Sequence, residues 1–140
     1  MKNTNLNNQV EYWETNYTKK PKMFGLTPSF AAEEALKVFK KKNIFSIVEL
    51  GAGLGRDTIF FAKNNIKVEA LDYSKTAVAS IKKKINELNL SEFVSAKVFD
   101  IRKELPFKNN TVQGIFSHML YCMALKNSEV QNLNGEILRV

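Results

Sequence analysis

The sequence predicts an α/β protein, a three-layer sandwich in which helices cover both faces of a mostly parallel sheet with strand order 3-2-1-4. Short β-branched apolar segments alternate along the chain with longer segments of helical periodicity. This alternation predicts parallel strands, and right-handed crossovers place the first strand centrally, the second and third on one side and the fourth on the other. A glycine-rich turn over residues 51–55 follows the first strand, where sheets of this kind carry their ligand sites.

The first elements follow from composition and capping. Residues 1–8 are polar and Asn-rich and predict a disordered tail, so the domain is expected over residues 9–140. Residues 9–18 carry three aromatic side chains and predict a short helix. Ser29 can cap a helix that runs to about residue 41, because a serine hydroxyl accepts a hydrogen bond from a first-turn amide. Residues 44–50 are almost entirely apolar, which is typical of a strand buried on both faces.

The same patterns define the rest of the chain. Serine caps and apolar spacing predict helices, and short β-branched segments predict strands. In order, we expect a helix over 56–64, a strand over 68–72, a helix from Ser74 to about 88, a strand over 94–99, a strand over 112–117 after a loop with Pro106, and an amphipathic helix from Ser128 to 138.

Composition bounds the class of protein. A chain of 140 residues predicts one domain, and no apolar run is long enough for a membrane span, so no membrane partner is expected. The single cysteine, Cys122, makes no internal disulfide and favours a reducing, cytoplasmic location. The net charge of +7 permits a nucleic-acid partner but does not favour one, because the lysines lie in short scattered clusters.

The glycine loop and the acid after the second strand predict the ligand class. Asp72 follows Gly51 by 21 positions, close to the spacing of about 20 at which such an acid holds ribose hydroxyls. Dinucleotide sites require a third small residue at the position of Arg56, so the observed G-x-G-x-G disfavours NAD. Glu49 places a carboxylate in an apolar strand, which is costly unless a partner binds it. Together these residues favour an adenosine ligand with a cationic tail.

Four segments resemble the motifs of class I, Rossmann-like methyltransferases that depend on S-adenosylmethionine. Residues 48–55 resemble the first motif, 68–74 the second, 99–101 the third and 114–118 the fourth. The resemblance covers residues 9–140. The Gly55-Arg56-Asp57-Thr58 sequence, the Tyr12-Trp13 pair and the Phe24-Gly25 loop are most similar to small-molecule methyltransferases of the tellurite-resistance and thiopurine type.

The resemblance implies S-adenosylmethionine as cofactor and assigns roles to matching residues. The glycines would wrap the methionine part, Glu49 would face its amino group, Asp72 would hold the ribose, Tyr73 would pack on adenine and Asp100 would accept from the adenine amino group. The full implied set is Tyr12, Trp13, Glu49, Gly51, Ala52, Gly53, Gly55, Arg56, Asp72, Tyr73, Asp100, Ile101 and Ser117.

Several structural alternatives stay open at this point. Arg56 can equally be a solvated residue of a helical first turn, and Tyr12 and Trp13 can pack on the domain instead of covering a site. His118 is a candidate general base, although a histidine at such a position is more often only packed or hydrated. We find no metal-ligand spacing in the sequence and expect no metal.

The implied activity is methyl transfer to a small-molecule nucleophile. An RNA or protein methyltransferase and a non-catalytic cofactor-binding fragment are the alternatives, and the sequence does not identify the acceptor. The family domain has seven strands, of which four can be placed, so we expect the chain to be incomplete at its C-terminus. An unpaired fourth strand would expose a sheet edge, which a longer chain or a second copy would cover.

Overall fold

The computed structural model describes residues 5–140. These residues form five helices and four strands, and the four strands make one parallel sheet. In chain order the elements are α1 (Leu6–Lys19), α2 (Phe30–Lys41), β1 (Ser46–Leu50), α3 (Arg56–Lys63), β2 (Lys67–Asp72), α4 (Lys75–Glu87), β3 (Val94–Val98), β4 (Gly114–Ser117) and α5 (Asn127–Arg139). The sheet order is β3-β2-β1-β4, and every pairing is parallel. The predicted fold class and strand order are confirmed.

The central strand β1 separates two apolar cores. Ile47 packs with side chains of α2, α3 and α4 on one face, whereas Val48 and Leu50 pack on the other face with α5 and the loops that surround it. This alternation arises because successive side chains of a strand point to opposite faces. Both faces are therefore covered, as the nearly uniform hydrophobicity of β1 predicts.

The helix α1 begins earlier than predicted. It starts at Leu6, whose side chain is only 2% exposed, so the prediction of a disordered tail is wrong for residues 5–8. Asn5 is the N-cap, and its side chain accepts a hydrogen bond from the Asn8 amide at 3.1 Å. The cap and the buried leucine together offset the polar character of this segment. The remainder of the predicted tail, residues 1–4, lies outside the described residues.

β1 and β4 each begin two residues later than predicted, so both strands are shorter than expected. β1 begins at Ser46 because the Gln113 side chain, instead of a neighbouring strand, accepts from the Phe45 and Ser46 amides. β4 begins at Gly114 and not at residue 112, since the Val112 amide donates to the Val140 carbonyl.

The start of the last helix also differs from the prediction. α5 begins at Asn127 with Lys126 in the N-cap position, so Ser128 is not the cap. The Glu129 carboxylate accepts from the amide of the N-cap residue Lys126 at 2.8 Å, so an acidic side chain of the first turn holds this end of the helix in place of the predicted serine cap.

Two features, a membrane-spanning helix and a metal-binding cluster, are absent from residues 5–140. Within that range no helix combines the length and apolar character needed to cross a bilayer. The same residues contain no group of three or more His, Cys, Asp or Glu side chains arranged to hold a metal ion.

Candidate functional site

A cleft with two compartments lies at the carboxyl ends of β1 and β2, beneath α1. The larger compartment has a volume of about 430 Å³ and lies between α1 and the glycine loop of residues 51–55. The smaller has a volume of about 50 Å³ and extends toward the end of β2. Both are lined by Trp13, Tyr17, Gly51 and His118, together with Met119 and Met123. The cleft therefore lies where the predicted topology places a ligand.

The glycine loop brings backbone close to the cleft. Gly51 and Gly53 have φ of 73° and 56°, a region that side chains other than glycine's rarely adopt. A Cβ atom at Gly51 would lie 3.2 Å from Leu120 Cδ1, and one at Gly53 would lie 3.2 Å from the Tyr17 hydroxyl. Both contacting residues line the cleft. Glycine at these two positions thus keeps the floor of the cleft open.

Gly55 lies at a packing contact between the start of α3 and α4. It is the N-cap of α3 with φ of 83°, and a Cβ atom there would lie 2.7 Å from Ile81 Cγ1 of α4. Gly55 does not line either compartment. The structure therefore places Gly55 at a helix-packing contact, and the ligand contact that the resemblance implies stays a prediction. The adjacent Leu54 carbonyl accepts from Lys84 Nζ at 2.5 Å, which fixes the loop to α4.

Asp72 joins the glycine loop to the turn that follows β2. Its side chain is 5% exposed, and its Oδ2 accepts from the Gly53 amide at 2.8 Å while its Oδ1 accepts from the Ser74 amide at 2.9 Å. Burial raises the pKa of Asp72, and the two amides oppose that rise. Asp72 lines the smaller compartment. A buried acid with both oxygens held in this way is well placed to present its carboxylate to hydroxyl groups.

Glu49 is buried in β1 beside the larger compartment, which it lines. The Thr58 hydroxyl donates to Glu49 Oε2 at 2.5 Å. Burial raises the pKa of Glu49 to about 8, against an ordinary value of 4.5, and the nearby Asp57 and Asp72 add to the rise. The carboxyl group is therefore largely protonated at neutral pH until a cation approaches it.

Arg56 and Asp57 form the wall beside Glu49. Asp57 accepts from the Ser29 amide at 2.8 Å and the Ser29 hydroxyl at 2.7 Å, so it attaches the start of α2 to α3. Arg56 Nε lies 3.1 Å from Asp57 Oδ1, and its guanidinium carbon lies 5.8 Å from the centre of the Phe24 ring. Arg56 and Phe24 both line the larger compartment. Arg56 is thus a wall residue whose side chain is held by Asp57, and its contact with a cofactor stays a prediction.

The smaller compartment collects the residues predicted to contact adenine, with one exception. Tyr73 and Ile101 line it, together with Phe99. Asp100 does not line it and instead accepts from the Arg102 amide and guanidinium, with Nε to Oδ1 at 2.9 Å and Nη2 to Oδ2 at 2.6 Å as the two shortest distances. The hydrogen bond from Arg102 lowers the pKa of Asp100. Its carboxylate is therefore already engaged where the sequence predicts an adenine acceptor.

Two hydroxyl groups near the cleft stay without partners. Among residues 5–140, the Tyr73 hydroxyl and Ser117 Oγ are buried and make no hydrogen bond. Burial, followed by the charge of Asp72, raises the pKa of Tyr73. Ser117 is the last residue of β4 and pairs with Leu50, the residue directly before the glycine loop. Ser117 lines neither compartment. Because Tyr73 lines the smaller compartment, its hydroxyl is the one of the two that a ligand in the cleft could reach.

One of the two aromatic residues predicted to cover the site does so. Trp13 lines both compartments and stacks on Tyr17 with ring centres 5.3 Å apart. Tyr12 is 60% exposed and contacts Trp13 edge-on from outside. Tyr17 was not among the predicted site residues, although its position four residues after Trp13 on a helix places both on one face.

The segment after β4 contributes four side chains to the cleft, of which only His118 was predicted as a site candidate. His118, Met119, Cys122 and Met123 line the larger compartment, and Met119 has φ of 65°. No periodicity indicates this arrangement. The one usable signal is that the segment directly follows the carboxyl end of a strand adjacent to β1.

Comparison with known proteins identifies the family to which this architecture corresponds. Residues 47–140 match the family model described as "Methyltransferase domain". The chain is 31% identical over 124 residues, 86% of its length, to phosphoethanolamine N-methyltransferase 1 of Triticum aestivum. A SAM-dependent methyltransferase structure from Aquifex aeolicus matches with 22% identity and a TM-score of 0.62, over 94% of this chain and 65% of that one.

A second solved structure has a higher structural similarity. It concerns the conversion of a disulfide bond into a thioacetal group during echinomycin biosynthesis, and it matches with 17% identity and a TM-score of 0.76 over 94% of this chain and 55% of that one. The chain spans 22% of the wheat protein's length, and 55% and 65% of these two structures.

Proposed function

The chain belongs to the methyltransferase domain family, within the class I enzymes that depend on S-adenosylmethionine, and on that premise we propose that it transfers a methyl group from this cofactor to a small-molecule nucleophile. The observation that carries the proposal is the position of Asp72. This buried carboxylate lies between the glycine loop and the β2–α4 turn, in the wall of the smaller compartment.

The residues of the cleft fit the cofactor. Gly51 and Gly53 leave the space that a Cβ atom would fill, so an extended ligand can cross the end of β1. Asp72 would hold the ribose hydroxyls, and Tyr73 with Ile101 would flank the adenine. Glu49 would face the amino group of the methionine part, since its pKa of about 8 allows it to ionise when a cation arrives.

The chain's own contribution to the reaction is alignment. When bound, the cofactor supplies a methyl group on a sulfonium, which is an intrinsically activated leaving group. Trp13 and Tyr17 would exclude water from above, and Glu49 would hold the amino group of the methionine part from below. Correct placement of two reactants contributes up to about 7–11 kcal/mol in favourable cases. His118 lines both compartments and is the candidate acceptor of a proton from the nucleophile.

The chemistry of the larger compartment supports a small acceptor. Its lining combines aromatic and sulfur-containing side chains with Glu49 and with the Arg56–Asp57 ion pair. Such a lining suits a compact molecule with one nucleophilic heteroatom, and Arg56 is the cationic side chain in it that an anionic group of that molecule could approach. The wheat relative is named for phosphoethanolamine, which has both groups. We extend that substrate class to this chain, and the similarity to tellurite-resistance and thiopurine enzymes stays a prediction.

The acceptor class is tested by methyl transfer from labelled S-adenosylmethionine to phosphoethanolamine, a small aliphatic thiol and transfer RNA, with and without a chelator. We expect incorporation into a small molecule and no effect of the chelator. Incorporation into RNA alone, or activity that the chelator abolishes, would contradict the proposal.

A further inference from the structure

The helix α1 covers the cleft without belonging to the sheet or to either of the two main cores. Two side chains attach it by hydrogen bonds to other elements. Near its start, Gln9 Oε1 accepts from the Ala124 amide at 2.9 Å. One turn later, Glu14 reaches the beginning of α4. Between these points Trp13 faces the cleft.

Glu14 binds the first turn of α4 through three donors. Its Oε1 accepts from the Lys75 amide at 2.6 Å, and its Oε2 accepts from the Thr76 amide at 3.3 Å and from the Thr76 hydroxyl. Amides of a helical first turn lack intrahelical partners, and the helix dipole favours a negative charge there. Burial disfavours the charged form of Glu14, but hydrogen bonds from Thr76 and its neighbours outweigh it and lower the pKa.

This contact joins the covering helix to the ribose-binding turn. α4 begins directly after Ser74, whose amide is held by Asp72. Glu14 therefore binds the next two residues of the same turn. Any outward movement of α1 at Glu14 must break these hydrogen bonds, whereas the turn itself is fixed to the sheet through Asp72.

The smaller compartment is too small to admit a purine ring as it stands. Its volume is about 50 Å³, and a single water needs roughly 10–15 Å³ in a cavity, so there is room for only a few waters. Part of its wall, Gly51 and Asp72, is fixed to the sheet. Trp13 and Tyr17 belong to α1, which is bound by side chains, so α1 is the wall that can withdraw most readily.

We propose that Glu14 is a positioning residue that latches α1 over the cleft, and that release of this latch limits how fast the adenosine end of a ligand enters and leaves. The identity of the ligand rests on the proposed function, but the latch itself does not. Breaking the latch increases the population of the open form without removing any residue that lines the cleft. Association and dissociation therefore both become faster.

The experiment uses Trp13 as a reporter, because it is the single tryptophan of the chain. Glu14→Ala removes the latch, and Glu11→Ala is the matched control, since Glu11 is an exposed residue of the same helix. In the ligand-free protein, acrylamide should quench Trp13 fluorescence more strongly in Glu14→Ala than in wild type. In stopped-flow mixing with S-adenosylhomocysteine, both rate constants should rise about tenfold, the size expected for loss of a capping carboxylate. Glu11→Ala should match wild type in both measurements.

A second variant keeps the test informative if Glu14→Ala folds poorly. Thr76→Val preserves the side-chain shape and removes one of the three donors, so it should shift quenching and rates in the same direction by a smaller amount. Equal quenching of Trp13 in wild type and both variants would overturn the latch. If the wild type fails to bind S-adenosylhomocysteine but the variants still increase quenching, the proposed function fails and the latch stands.

Discussion

Three acidic side chains are buried around the glycine loop, and each has a different partner. Asp72 holds two backbone amides, Asp57 holds Ser29 of α2, and Glu49 has only the Thr58 hydroxyl. Spacing from the glycines identified Asp72 and Glu49 in the sequence. The role of Asp57 could not be found that way, because its partner lies 28 residues away.

Replacement of Asp72 tests the ribose assignment. Asp72→Ala should weaken binding of S-adenosylhomocysteine by about 1–3 kcal/mol, because the hydroxyls of the ligand would lose a buried charged partner. It should also lower the free energy of unfolding, since the Gly53 and Ser74 amides lose their acceptor. Calorimetric titration and denaturant unfolding measure the two effects. Unchanged affinity in a destabilised variant would restrict Asp72 to a structural role.

The raised pKa of Glu49 gives a pH dependence with a defined sign. Folded Glu49 holds a proton that the unfolded chain lacks between pH 4.5 and pH 8. Its contribution therefore makes stability fall as pH rises through that window. Glu49→Gln should flatten this part of the stability profile in denaturant titrations, and a profile of unchanged slope would contradict the assigned pKa.

Ligand binding provides an independent check on Glu49. If its carboxyl group ionises to meet the cofactor's amino group, binding at pH 7 releases a proton from the wild type and releases less from Glu49→Gln. Calorimetric titration in buffers of different ionisation enthalpy measures the proton count. Equal proton release by both proteins would place the amino group elsewhere.

At the scale of elements, local chemistry determined most boundaries. Ser29 and Ser74 cap α2 and α4 as predicted, because a serine cap needs only its own first turn. The predicted boundaries were wrong where a residue distant in the sequence determines where a strand begins. Gln113 ends the pairing before β1, and Val140 removes Val112 from β4. Contacts of this kind leave no periodic pattern in the sequence.

The junction between the glycine loop and α4 gives a prediction at this scale. Gly55→Ala combines an unfavourable φ with a contact of 2.7 Å to Ile81, whereas Gly25→Ala has φ of 63° and no atom within 4 Å of the added Cβ. A residue other than glycine in the left-handed conformation costs about 1 kcal/mol, so Gly25→Ala should lower the free energy of unfolding by that amount. Gly55→Ala should lower it by about 1–3 kcal/mol more, because the added methyl group overpacks the contact with α4. Thermal unfolding compares the two. Equal losses would show that α4 moves freely to accommodate the methyl group.

At the scale of the whole molecule, the predicted topology gave the position of the cleft correctly but did not identify all of the residues that line it. The parallel order places the glycine loop and Asp72 at one edge, and both lie there. Tyr17 and residues 119, 122 and 123 entered the cleft through long-range packing, which a local pattern does not encode. The motif position of Asp100 did not indicate that Arg102, two residues later, pairs with its carboxylate, and the adenine contact of Asp100 stays a prediction.

The central claim is that the two compartments form one site for S-adenosylmethionine. Calorimetric titration of the purified chain with S-adenosylhomocysteine and, separately, with NAD tests it most directly. The account predicts saturable binding of S-adenosylhomocysteine with one site per chain and no binding of NAD, because Arg56 occupies the position where a dinucleotide site requires a small residue. Binding of NAD without binding of S-adenosylhomocysteine would contradict it.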